Sequence, residues 1–182
     1  MPRQMPSAPE AEASLLGTMM VYHDAARTAM EEGISEDDFY TDANRRIFNA
    51  MVSLYNQGSP IDMTTVYTRL QDMNLLEQAG GIEYLTRISD AAVTSANTKS
   101  YVKMIHNKSI TRQMITAAES IVNDGFEGGE DIDAYLDASE KAILDVSRNR
   151  KAGEFKTPQE LVSSELENIR QMSENHSEIT GL

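Results

Sequence analysis

Cysteine is absent from the 182 residues, which excludes disulfides, thiolate nucleophiles and thiolate metal sites, and removes any demand for an oxidising compartment. Tryptophan is absent too, and aromatic residues make up 6% of the chain. Met, Ala and Leu therefore fill the periodic apolar positions, a composition suited to helix packed on helix. No apolar run reaches the length of a membrane span and the N-terminus lacks a signal-peptide core, so a cytoplasmic protein without a membrane partner is expected. Basic residues are scarce: 16 Lys and Arg against 29 Asp and Glu leave a net charge of −13. Nucleic-acid affinity rests on cations that neutralise phosphates, so this chain by itself is not expected to track DNA or RNA.

Catalytic constellations are missing as well. His23, His106 and His176 lie on separate elements, and none has a Glu three residues before it, the helical spacing of carboxylate-bridged metal sites. There is no Gly-x-Ser-x-Gly elbow. Gly80-Gly81 lacks the further glycines and the Lys-Ser or Lys-Thr of a phosphate loop. Neighbouring acids such as Glu31-Glu32 and Asp37-Asp38 diverge on a helix. No catalytic residue, metal ligand or cofactor site is expected within these residues.

What is present reads as all-α: a compact helical lobe, a long helical hairpin and a tethered helix. The expected division is a flexible N-terminus at 1–8, a globular lobe at 9–94, a hairpin at 95–150 belonging to the same domain, and a linker at 151–182 with a docking helix at 158–173. The hairpin organises the rest. Its first arm runs from Ser95 to Asp124, glycines 125, 128 and 129 break it, and Asp131 to Arg150 returns. Val102 and Ile105 are followed by a stripe of Ile110, Met114, Ala117 and Ile121 that starts five residues later, a rotation of roughly 140°. The first half of the arm should therefore pack on the preceding lobe, and the second half on Ile132, Leu136, Ile143 and Val146 of the returning arm. A further stripe, Ile115, Ala118 and Val122, exceeds what the second arm can cover, so it either meets another chain as an oligomer interface or stays exposed as a patch for a partner. Seven carboxylates and no Lys or Arg lie between Asp124 and Glu140, so the tip is a strongly acidic turn.

Earlier in the chain, Ser7-Ala8-Pro9-Glu10 has a capping-box pattern, and Leu15, Leu16, Met19 and Met20 give the first helix its buried side, with Gly17 a slight weakness. A second helix spans Ala25 to Glu32, and Phe39 plugs an acidic connector into the core. Thr41 or Asp42 caps a third with Ile47, Phe48, Met51, Leu54 and Tyr55 inward. Asp62 caps a fourth with Met63, Val66, Tyr67 and Leu70, before an apolar turn at Leu75-Leu76. Gly80-Gly81 gives tight entry to a fifth, on which Ile82, Leu85 and Ile88 face inward. After the hairpin, Thr157-Pro158-Gln159-Glu160 starts a polar helix with one stripe, Val162, Leu166, Ile169 and Met172, suited to docking in a neighbour's groove. The end, Ile179 to Leu182, reads as cut.

The order of these pieces resembles the N-terminal domain and linker helix of the bacterial replicative DNA helicases of the DnaB type. The resemblance is carried by Glu10-Ala11-Glu12, Leu15-Leu16-Gly17, Asp38-Phe39-Tyr40, Ile47-Phe48, Pro60-Ile61-Asp62, Thr65-Val66, Gly80-Gly81, Tyr84-Leu85, Ala96-Asn97, Tyr101, Arg112 and Ile179-Thr180-Gly181. It implies a RecA-like motor after Leu182 that binds ATP, Mg²⁺ and DNA and makes the full-length protein an ATP-dependent helicase. It further implies a hexamer whose N-terminal domains form a collar as a trimer of dimers, with primase, and a helicase loader as a further partner, docking there. By the same resemblance, primase-responsive positions fall on Tyr84, Ile115 and Ile121, and Val162, Leu166, Ile169 and Met172 dock on the motor of a neighbouring subunit. The alternative is a free-standing helical adaptor or regulator without catalytic activity.

Overall fold

The computed structural model describes residues 4–128 and 131–152, and every regular element among them is helical. In order these are α1 (Pro9–Val21), α2 (His23–Glu31), a 3₁₀ turn (Glu36–Asp38), α3 (Asp42–Asn56), α4 (Met63–Asp72), α5 (Gly81–Asp90), a second 3₁₀ turn (Ser95–Asn97), α6 (Thr98–Glu127) and α7 (Ile132–Ala152). None of these helices is long and apolar enough to cross a membrane. The stripe Val162, Leu166, Ile169 and Met172 lies outside the described residues.

Helix α1 is the axle. Its buried set, which includes Leu15, Leu16, Gly17, Thr18, Met19 and Met20 in unbroken succession, covers more than one face, because α2, α3, α5 and α6 all pack on it. Leu15, Leu16 and Met19 have no exposed surface, and each such side chain contributes about 2 kcal/mol through burial. Ser7 does not cap this helix: Ala8 holds the cap position without a side-chain bond, and Pro9 opens the first turn. Gly17 is a requirement and not a weakness. A Cβ there would stand 2.9 Å from the Ala92 backbone nitrogen and still closer to the Ile88 carbonyl oxygen, so α5 can cross α1 only over a glycine.

Around this axle, Phe39 and Phe48 meet with ring centroids 4.9 Å apart. Asp62 caps α4 with a reciprocal Thr65 bond, its carboxylate accepting from the Thr65 N–H at 2.9 Å. Gly80 and Gly81 both take left-handed backbone angles at the entry to α5, as the paired glycines imply. Leu85 and Ile88 point inward, but Ile82 is exposed: it precedes the others on the helix at a position no neighbouring element covers. Tyr55 is likewise exposed at the end of α3.

The hairpin corrects the sequence reading in three places. Helix α6 runs through Gly125 to Glu127 and stops at Gly128, which is left-handed. Gly125 instead makes room for Tyr135, whose hydroxyl donates to the Ile121 carbonyl at 2.9 Å and would lie 2.9 Å from an added Cβ. Second, Ile132, Leu136 and Ile143 do not face α6; all three are exposed, and the covered side of α7 carries Tyr135, Ser139, Ala142 and Val146. The Tyr135 bond accompanies this rotation of α7, which leaves the larger aliphatic residues outward. Third, Met114 of the expected inner stripe is exposed. Val102 and Ile105 are buried against the lobe, as their offset from the later stripe requires.

Candidate functional site

A buried polar cluster joins the lobe to the root of the hairpin. Glu12 of α1 is 1% exposed. Its carboxylate accepts from the Tyr40 N–H at 2.8 Å, the Thr41 N–H at 3.4 Å and the Asn44 amide at 2.9 Å. Thr41 is the N-cap of α3 yet makes no side-chain cap bond, so Glu12 supplies from another helix the anionic cap that the first turn of α3 needs. Asn44 passes the chain onward, its carbonyl oxygen accepting from the Tyr84 hydroxyl at 2.7 Å. Burial pushes the Tyr84 phenol up from its usual range, while Arg87, stacked on the ring at 4.7 Å, opposes the shift.

On the other side stands Arg112 of α6. It donates to the Pro6 carbonyl at 3.0 Å and the Asp38 carbonyl at 2.7 Å, and its guanidinium lies 5.5 Å from the centroid of the Tyr40 ring. Burial lowers the guanidinium from its usual range, and Glu12 and Asp38 pull it back. Asp38 accepts from the Ser35 N–H at 2.9 Å and pairs with Nδ1 of His106 at 3.1 Å, while Nε2 of His106 is buried without a partner. Ser109 donates to the Asp37 carbonyl at 3.3 Å. The lobe thus holds α6 as far as Arg112, beyond the Asn107 to Ser109 change of stripe.

Past Arg112, among the described residues, the hairpin arms pack mainly on each other and on the N-terminal segment. Ile115 and Ile121 are half-buried, Ala118 and Val122 are exposed, and the exposed run continues through Phe126, 88% exposed, to Ile132, 63% exposed. Residues 4–8, assigned from sequence to a flexible terminus, lie along α6: Gln4 and Met5 line a groove together with Ile115, Ala118 and Val122. Tyr84 stands apart from Ile115 and Ile121, on α5, with its hydroxyl turned into the Glu12 cluster. Among the described residues no group of three or more His, Asp and Glu side chains could hold a metal ion.

In the sequence Glu12 and Arg112 stand out only as marks of resemblance, Asp38 also as one of two neighbouring acids, and His106 as a histidine without a partner motif. One signal could have found Glu12: a carboxylate inside the apolar run Ala11 to Met20 must have buried donors to meet it.

The class defined by this architecture is an all-α domain in which a small helical lobe is locked by a buried carboxylate cluster to a long helical hairpin. The chain belongs to the DnaB-like helicase N terminal domain family, which matches residues 4–107. It is 34% identical over 177 residues to the replicative DNA helicase DnaB of Geobacillus stearothermophilus, an alignment covering 97% of this chain and 39% of the relative. It is 34% identical over 180 residues to the replicative DNA helicase DnaC of Bacillus subtilis, covering 99% and 39%. The chain therefore spans about two fifths of the length of these curated relatives. The crystal structure of the N-terminal domain of DnaB helicase from Mycobacterium tuberculosis superposes with a TM-score of 0.74 at 31% identity, over 78% of this chain and 99% of that one. A DnaB-like replicative helicase described with its primase interactions shares the fold, with a TM-score of 0.65 at 17% identity over 90% and 36% of the two chains.

Proposed function

We propose that this chain is the N-terminal collar of a hexameric replicative DNA helicase of the cytoplasm, where it mediates self-association and docks primase, with a loader as a further partner. The observation that carries this is the family match together with relatives that are replicative DNA helicases. In this reading the lobe at 9–94 and the hairpin at 95–150 form the collar, and the linker at 151–182 leads to a RecA-like motor that binds ATP, Mg²⁺ and DNA. The linker stripe at Val162, Leu166, Ile169 and Met172 docks on a neighbouring subunit's motor. Copies pair through the α6 face of Ile115, Ala118 and Val122, extended by the outward residues Ile132, Leu136 and Ile143 of α7. Fully formed, such a helix-on-helix contact buries the large apolar surface that the hairpin leaves open.

Ala118→Glu places a charge in that contact and is expected to weaken self-association by roughly a hundredfold, about 3 kcal/mol. Sedimentation of the folded variant over a concentration series reads this, and an unchanged oligomer mass refutes the placement.

Primase docking is tested by titrating the C-terminal domain of the cognate primase against the chain and against Ile115→Asn and Ile121→Asn, each checked first for helicity and melting temperature. Binding at least tenfold weaker is expected, the cost of one interface anchor. Full binding by both folded variants puts the primase site elsewhere on the collar. Failure of the wild-type chain to bind primase or itself would favour the free-standing adaptor.

A further inference from the structure

The N-terminal segment lies on the surface proposed for pairing. Met5 is half-buried, and it and Gln4 line the groove that holds Ile115, Ala118 and Val122. Met5 also borders the cleft on the opposite flank of α6, where Arg112, Ala117 and Val146 line the junction with α7. The segment therefore crosses α6 instead of trailing into solvent. Ala8 belongs to α1 as its cap, its carbonyl accepting from the Glu12 N–H at 3.0 Å, and among the described residues the stretch before it is anchored by one charge-assisted bond, from Arg112 to the Pro6 carbonyl at 3.0 Å. Residues 4–7 are free of helix, and contact with the core begins at Ala8.

We propose that residues 4–7 form a strap, clamped by Arg112, that covers part of the α6 pairing face and must be displaced before two copies associate. The proposal rests on the self-association inferred above. Physically, Met5 forms part of the wall of the groove beside Ile115, and a second copy's side chains packed on that face would compete with it for the same surface. A strap closed nine-tenths of the time would reduce the apparent pairing affinity about tenfold, because only the open fraction is competent. The anchoring bond joins a side chain to a backbone carbonyl, so closure does not depend on the identity of residue 6. It does depend on the Arg112 fork, which grips Asp38 with its other nitrogen and so ties the strap to the lobe.

The test compares self-association constants, by sedimentation equilibrium, of the full chain, a variant lacking residues 1–5, Met5→Ser in the full chain, and the truncated form carrying Ala118→Glu. Helicity and melting temperature are checked for each. Truncation is expected to tighten association roughly tenfold, Met5→Ser to tighten it by less, and Ala118→Glu to erase the gain. Equal or weaker association of the folded truncated and Met5→Ser forms, with the full chain still pairing, overturns the strap and leaves the pairing face standing. A gain that survives Ala118→Glu overturns it as well, since the strap would then act elsewhere. If neither the full chain nor the truncated form associates, the pairing reading fails and the strap falls with it.

Discussion

Glu12→Ala is expected to lower the melting temperature by roughly 10 °C and to loosen the hairpin root together with the lobe. The carboxylate is the acceptor for the Tyr40 N–H, the Thr41 N–H and the Asn44 amide. Deleting it leaves these donors in a dry site, at about 1–3 kcal/mol for each that stays unmet. The longest of the three bonds is 3.4 Å and is weakened less, which places the total near about 4 kcal/mol. At about 2–4 °C per kcal/mol for a chain of this size, that is the stated shift. Glu12→Gln should lose much less. Asn44 can turn its amide over, offer its oxygen to the new side chain and present its nitrogen to the Tyr84 hydroxyl, which accepts as readily as it donates. Thermal denaturation of the two variants side by side checks the argument. An alanine variant that melts within about 2 °C of the wild type would show that water, and not Glu12, serves these donors.

Gly17→Ala has the second large expected effect, and two opposing terms decide its sign. Alanine improves helix propensity by about 1 kcal/mol. The new methyl, however, meets the backbone of Ile88 and Ala92, which cannot rotate away as a side chain can. Separating α1 from α5 costs about 3 kcal/mol or more, because the buried layer that includes Leu85 and Ile88 must part with it. The variant should therefore be destabilised by at least about 2 kcal/mol and show faster amide exchange in α5. A variant more stable than the wild type would mean that the crossing relaxes at little cost.

How far the sequence could be read depended on whether a signal was local. Helix α4 was legible because Asp62 and Thr65 lie within one turn, and the stop after α3 because Gly58 sits where the stripe ends. Helices α2 and α6 began or ended two or three residues from the expected boundary, since caps are weak punctuation when tertiary contacts continue the helix. The rotation of α7 was not legible. Its hydrophobic stripe names Ile132, Leu136 and Ile143, but the side that packs on α6 carries Tyr135, whose bond reaches a carbonyl fourteen residues away, and the three aliphatics are exposed. Gly125 misled for the same reason, as it serves a phenol from the other arm. The Glu12 cluster depends on partners 28 to 40 residues apart, which no spacing rule reaches. The assigned positions Tyr84, Ile115 and Ile121 came from resemblance. The fold adds that Tyr84 has its hydroxyl committed inward, which leaves only its ring available to any partner.

Four of the bonds at the hairpin root share one trait. Arg112 donates to the carbonyls of Pro6 and Asp38, Arg45 to that of Phe39 and Ser109 to that of Asp37. Each acceptor is main chain, so these contacts tie down the donors 45, 109 and 112 while leaving the side chains at 6 and 37 unconstrained by them. Drift at those two positions can retune charge and shape beside the hairpin without tilting it. The joint thus lets the surface beside the hairpin change while its geometry stays fixed.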